Sequence, residues 1–254
     1  MSELKVSPNG RVAFVSGANR GIGRAITIEL LEAGAKKVYA GVRNIKSLDD
    51  LKPEYGERLV PILLDLKNDK TIIRAARQVK DVEILINNAG VYDAGGFFSD
   101  DTLDSLSDNF EVNVWGLVKL STSLIDHLLN KPFSAIVNVA SVLGLASMPV
   151  AGTYSASKAA VHSITQGMRG ELLNSNVLVM GVYPGPIDTD MTRDLDMDKD
   201  SPQNVAKNII TGLKKGQEYV FPDMMSKQVG ELYLTEPITV EKQFAHFVSE
   251  EQEV

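Results

Sequence analysis

Val12-Ala-Phe-Val15, then Ser16-Gly17-Ala-Asn19-Arg20-Gly21-Ile22-Gly23, then Arg24-Ala-Ile-Thr-Ile-Glu-Leu-Leu-Glu-Ala33 run without interruption near the N-terminus. The continuous apolar run reads as a strand buried on both faces. The third stretch reads as an amphipathic helix with Ile22, Ala25, Ile26, Leu30 and Ala33 on its apolar side. Between them lie Gly17, Gly21 and Gly23. Glycine lets the backbone turn tightly and approach a ligand closely. This order sets a helix N-terminus above a strand end, where unpaired N–H groups and the positive end of the helix dipole suit a pyrophosphate. Asn19, Arg20 and Ile22 fall in the same turn and are assigned to the same site.

Outward from this unit the pattern repeats. Strand-like runs fall at Val12–Ser16, Lys37–Gly41, Leu59–Leu64, Glu83–Asn87, Ala135–Val139, Val177–Tyr183 and Tyr219–Phe221. Helical patterns fall at Ile22–Ala33, Lys46–Leu51, Lys70–Val79, Leu103–Leu129, Tyr154–Leu173 and Gln203–Lys214. Alternation of this kind predicts an α/β fold, a doubly wound parallel sheet with helices on both faces and right-handed crossovers. Ser201-Pro202 marks a helix start. One domain is expected over residues 1–254, with its core at about 11–221. A helical extension over 226–249, cut by Pro237, and an acidic tail over 250–254 follow. Asn87 to Gly90, Ser141 and Tyr183-Pro184-Gly185 all fall at the carboxyl ends of strands, where open α/β sheets bind ligands.

Composition narrows the function classes. A net charge of -7 argues against nucleic acid and anionic membranes as partners. The chain has no cysteine, so disulfides, thiolate metal sites and cysteine nucleophiles are excluded. His127, His162 and His246 form no metal-ligand spacing and read as structural or surface residues, so no metal is expected. No apolar run is long enough to span a bilayer, and Met1-Ser-Glu-Leu-Lys5 lacks an apolar signal region. The expected location is the cytoplasm.

Tyr154-Ser-Ala-Ser-Lys158 places a phenol and an ammonium one helical turn apart on one face. A phenol ordinarily ionises near pH ~10, and a nearby cation lowers that value. The pair is therefore expected to give a proton donor and acceptor working near neutral pH.

Together with Gly17-Ala-Asn-Arg-Gly21-Ile-Gly23, Asn87-Asn88-Ala89-Gly90, Asn113-Val-Trp-Gly116, Ser141 and Pro184-Gly185-Pro-Ile187-Asp-Thr189, this segment resembles the short-chain dehydrogenase/reductase family. The motifs occur in the family's order over roughly residues 11–221. The resemblance implies a Rossmann-like single domain and a catalytic tetrad of Asn113, Ser141, Tyr154 and Lys158. Tyr154 would be the general acid in reduction and the base in oxidation. Ser141 would bond the same substrate oxygen, and Lys158 would bind a ribose hydroxyl and lower the tyrosine pKa. Asn113 would hold a water linking Lys158 to solvent. Asp65 and Leu66 would flank an adenine, and Asn88, Ala89, Gly90, Pro184 and Gly185 would complete the cofactor cleft. Thr189 would bond a nicotinamide carboxamide, together with backbone near Ile187. The loop from Ile187 to Pro202 would close over substrate. The family commonly forms homodimers or homotetramers, here expected through helices 103–129 and 154–173, with Trp115, Leu120 and Val161 as surplus apolar residues. Two departures stand out: Ser16 replaces the usual threonine, and the usual C-terminal strand ending in Gly-Gly is lacking.

Cofactor choice is argued from charge. The second strand ends Val42-Arg43-Asn44 with no carboxylate for the ribose hydroxyls of NAD. Arg43 and Arg20 suit a 2′-phosphate instead, through charge-assisted bonds. The expected cofactor is NADP(H). The expected reaction is reversible reduction of a ketone or aldehyde, of moderately hydrophobic character, in a pocket lined by Val91, Tyr92, Val142, Leu143, Met148, Val150 and Met191. The alternatives are an oxoacyl carrier-protein reductase and a non-catalytic NADP(H)-sensing protein. A basic docking patch is lacking for the first, and both Tyr154 and Lys158 are kept against the second.

Overall fold

The structure, a computed structural model, describes residues 4–247. Its strands are β1 (Val12–Ser16), β2 (Lys37–Val42), β3 (Leu59–Leu63), β4 (Ile84–Asn87), β5 (Ser134–Val139), β6 (Val177–Val182) and β7 (Tyr219–Val220). They form one seven-stranded sheet in the order β3-β2-β1-β4-β5-β6-β7, parallel throughout. The chain order reverses between β1 and β4, which opens a crevice at their carboxyl ends. The doubly wound fold read from the alternating pattern is the fold observed.

The helices are α1 (Gly21–Glu32), α2 (Lys52–Tyr55), α3 (Asp69–Gln78), α4 (Thr102–Phe110), α5 (Leu117–Leu129), α6 (Gly152–Glu171), α7 (Pro202–Lys215), α8 (Met224–Thr235) and α9 (Pro237–Phe244). They cover both faces of the sheet, because successive strand residues point to opposite sides. Ala13 and Val15 pack with Ile26 and Leu30 of α1 and Ile209 and Leu213 of α7. Val12 and Phe14 pack with Ile72 of α3 and Leu120, Leu124 and Leu128 of α5. Truncating a fully buried leucine such as Leu30 to alanine costs about 2–5 kcal/mol. The helix start expected at Ser201-Pro202 is present, with the Ser201 hydroxyl accepting from Asn204 N–H at 3.2 Å.

Some expected elements are redrawn. The helix expected over Lys46–Leu51 is a 3₁₀ turn, Ile45–Leu48, followed by the short α2. The long helix expected over Leu103–Leu129 is interrupted by a π-helical segment, Glu111–Gly116, between α4 and α5. Leu120 and Val161, expected to face a second copy, are fully buried inside this chain. The sheet already uses them, while Trp115 is 56% exposed. The extension divides at Pro237 into α8 and α9 and packs back on the domain: Val229, Val240 and Phe244 join Val142, Val161 and Tyr183 in one apolar cluster. The acidic tail 250–254 and the last residues assigned to the extension, 248–249, lie outside the described residues.

Candidate active site

The crevice at the β1/β4 switch point opens into a cleft of roughly 640 Å³. One of its walls is the first βα turn. Gly17 has φ +68, and a Cβ there would lie 2.9 Å from the Ala89 Cα. A Cβ on Gly23 would lie 2.2 Å from the Gly17 carbonyl oxygen and 2.3 Å from Asn88 Nδ2. Only glycine permits these approaches. Arg20, at the N-cap of α1, makes no side-chain cap. The first N–H groups of α1 thus lack the usual side-chain acceptor and suit an anion.

Ser16 accounts for one departure from the family pattern. Its hydroxyl accepts from the N–H groups of Asn88 and Ala89, each at 3.0 Å, and donates to the Ile86 carbonyl at 3.3 Å. Asn88 Nδ2 returns to the Ser16 carbonyl at 3.0 Å. The loop after β4 is thereby clamped to the end of β1. This work needs only the hydroxyl, so serine does what threonine would.

Asn113 sits in the π-helical segment. Its Oδ1 accepts from Val91 N–H at 2.8 Å, and its Nδ2 donates to the Val91 carbonyl and the Ser157 hydroxyl, both at 3.0 Å. A π segment inserts a residue into the helical repeat and re-aims side chains. Here it joins Val91 to α6. The side chain is thereby committed to a brace between the loop after β4 and α6.

Tyr154 and Lys158 lie in α6, only 9% and 5% exposed. Burial pushes the Tyr154 phenol well above its usual pKa, Tyr92 adds to the rise, and the Ser141 hydroxyl works against it. Tyr92 meets Tyr154 edge to face, with ring centroids 4.9 Å apart. Burial lowers Lys158 to about 8. Its ammonium donates to the Val139 carbonyl at 2.9 Å and lies 5.7 Å from the centre of the Tyr154 ring. The expectation that Lys158 brings the phenol toward neutrality is therefore corrected. The loss of solvent dominates, and the ammonium is engaged by the strand end. Ser141 accepts from Leu143 N–H at 3.1 Å, which fixes its hydroxyl at the mouth of β5.

The remaining expected cofactor residues Arg43, Asp65, Leu66, Gly90, Pro184, Gly185, Ile187 and Thr189 all line the same cleft, as do Asn19, Gly21 and Ile22. Arg43 is exposed and makes no ion pair among the described residues. Arg20 instead lies 3.7 Å from the Asp190 carboxylate of the loop after β6. That loop is less irregular than expected: it holds a 3₁₀ turn, Asp190–Thr192, and an Ile187–Asp200 bridge. Beyond Tyr154 the cleft is walled by Val91, Tyr92, Val142, Leu143, Met148, Val150 and Met191, all expected.

A family model for short chain dehydrogenases matches residues 11–200. The chain belongs to this family. An uncharacterized oxidoreductase of Staphylococcus aureus (strain USA300) is 33% identical over 211 residues, covering 80% of this chain and 90% of that protein. One of Staphylococcus saprophyticus is 30% identical over 218 residues, covering 81% of this chain and 92% of that one. A crystal structure of a short chain dehydrogenase from Burkholderia cenocepacia J2315 in complex with NADP is 33% identical. It covers 94% of this chain and 99% of its own, with a TM-score of 0.88.

In this short chain dehydrogenase four wall residues escape motif reading. Leu195 and Met197 from the loop after β6, Met225 from α8 and Phe247 beyond α9 also line the cleft. A fifth residue, Asp223, is buried at the N-cap of α8, and its carboxylate accepts from Gly185 N–H at 2.9 Å. Its local signal was available: Asp223 and Ser226 are spaced as a helix cap. These wall residues lie past the last shared motif: Leu195 and Met197 stand alone among the charges of 193–200, within the loop expected to close over substrate, and Met225 and Phe247 belong to the extension.

Proposed function

We propose that this oxidoreductase is an NADPH-dependent reductase converting a moderately hydrophobic ketone or aldehyde to an alcohol. The observation that carries the reading is a buried Tyr154 phenol beside Ser141, in one cleft with a glycine-lined anion cradle and a set of apolar side chains. A phenol raised by burial keeps its proton at neutral pH, which favours the donor role.

The residues fit the cofactor. The Gly17 and Gly23 approaches leave room that side chains would fill, and the start of α1 accepts phosphate. Arg43 stands at the end of β2 where no carboxylate competes. The NADP complex of the 33% identical Burkholderia protein supports the same choice. Asp65, Leu66, Asn88, Ala89, Gly90, Pro184, Gly185, Ile187 and Thr189 would hold the rest. When bound, the cofactor supplies the hydride. Tyr154 then donates its proton to the carbonyl oxygen, while the Ser141 hydroxyl bonds that oxygen and spreads its developing charge. Lys158, 5.7 Å from the centre of the Tyr154 ring, would bond a ribose hydroxyl and hold a positive charge near the phenol. Asn113 positions Val91 and α6 rather than touching substrate.

The same reading takes the enzyme as a homodimer or homotetramer, a view supported by the exposed Trp115 between α4 and α5. It is tested by following loss of NADPH absorbance with a panel of carbonyl compounds, against NADH as control. Turnover with NADPH and a kcat/KM ratio favouring it are expected. Binding of NADPH without turnover of any carbonyl would point instead to a cofactor-sensing protein.

A further inference from the structure

The C-terminal extension is pinned to the cleft at both ends. At its start, Asp223 accepts the Gly185 N–H with one carboxylate oxygen and the Ser226 N–H, at 2.8 Å, with the other. At its end, the Phe247 carbonyl accepts the Val150 N–H at 3.3 Å. Gly185 belongs to the turn after β6, and Val150 to the turn that leads into α6 and Tyr154. Between these ties, Val240 and Phe244 are buried against the domain. Met225 and Phe247, the residues next to the two ties, both line the cleft.

We propose that the α8–α9 hairpin is the far wall of the substrate pocket, with Met225 and Phe247 as its specificity-determining residues. It selects carbonyl compounds whose apolar body is long enough to reach from Tyr154 to these two side chains. The inference rests on the reading of the apolar end of the cleft as the carbonyl pocket. Met148, Val150, Leu195 and Met197 line the same cleft and add apolar surface to it. Methionine fills irregular space and adapts to its neighbour. Each CH₂ that such a slot takes from water is worth about 0.8 kcal/mol, roughly fourfold in binding. Chain length should therefore be read strongly until the wall is reached.

The test is steady-state reduction of unbranched methyl ketones from 2-butanone to 2-decanone by the full-length enzyme with NADPH. For the wild type, kcat/KM is expected to climb with chain length. Phe247→Ala and Met225→Ala should each raise KM for 2-decanone about tenfold. The loss should shrink steadily as the ketone shortens toward 2-butanone, the KM for NADPH should rise less than that for 2-decanone, and Phe247→Leu should recover most of the loss. An unchanged KM for 2-decanone in both alanine variants overturns the proposal, and so does an equal rise in the KM for NADPH. If the wild type reduces neither these ketones nor the matching straight-chain aldehydes, the reductase reading fails on its own. The wall is then read from fluorescence of the neutral dye Nile red displaced by 2-decanone. Weaker displacement in Phe247→Ala supports the wall, and identical displacement curves overturn it.

Discussion

The Asp223 carboxylate holds the peptide N–H of Gly185 at 2.9 Å, so one buried side chain fixes both the cofactor turn after β6 and the first turn of α8. Its removal leaves the buried Ser226 N–H and the half-buried Gly185 N–H without their acceptor. Losing a helix cap costs about 0.5–2 kcal/mol, and an unsatisfied buried donor about 1–3 kcal/mol. Asp223→Ala should lower the urea midpoint clearly, while Asp223→Asn, which keeps an acceptor oxygen, should lose less. Equal midpoints for the two variants would mean that the acceptor does not matter there.

Lys158 is held as a buried cation at a cost. Its pKa falls to about 8 in the folded chain, against ~10.4 for an unfolded lysine. The folded state binds fewer protons between these values, so the penalty is fully present below pH 8 and is relieved as pH rises toward ~10.4. Lys158→Met should therefore be more stable than wild type at pH 7, with the gap narrowing at pH 9.5, and should have almost no turnover. Urea unfolding at both values checks the sign. A gap that grows with pH would contradict it.

Tyr154→Phe removes the proton donor and little packing. Turnover should fall by ~10²–10⁴, while NADPH affinity, read by protein fluorescence, stays within about twofold. Near-normal turnover would remove Tyr154 from the chemistry.

Arg43→Asp should exchange a phosphate partner for a carboxylate that bonds ribose hydroxyls and repels the 2′-phosphate. One charge-assisted bond is worth about 1.5–3 kcal/mol, so the NADPH to NADH ratio of kcat/KM should fall by about tenfold to hundredfold. Arg20, already drawn toward Asp190, should contribute less than Arg43. An unaltered ratio would mark Arg43 as an ordinary surface charge.

Continuous apolar runs carried the sheet and the first βα turn, because a strand buried on both faces is apolar along its length, as Val12–Val15 and Val177–Val182 are. Periodicity could not carry the break at Glu111–Gly116, where the apolar spacing continues while the hydrogen-bond repeat changes. Spacing put Tyr154 and Lys158 on one helix face but said nothing of solvent. Their pKa shifts follow from burial under β5 and the loop of Tyr92, contacts made across the fold. Leu120 and Val161 looked surplus because a one-dimensional pattern does not say how many neighbours a helix has. Phe247 and Asp223 touch turns far from them in the chain, so their part in the cleft emerged only from tertiary contacts.

The π-helical segment divides one continuous rod into two independently clocked halves. Leading into it, Ser105, Asn109 and, within it, Asn113 form a polar line toward Asp93, Thr153, Val91 and Ser157. After it, Leu117, Leu120, Leu124 and Leu128 form the buried apolar stripe of α5. A regular helix advances about 100° per residue. Deleting one residue from 111–116 would thus swing one line off its target while the other stayed in place. The polar brace of Asn113 and the sheet's aliphatic cover can share a single rod because its phase is reset along Glu111–Gly116.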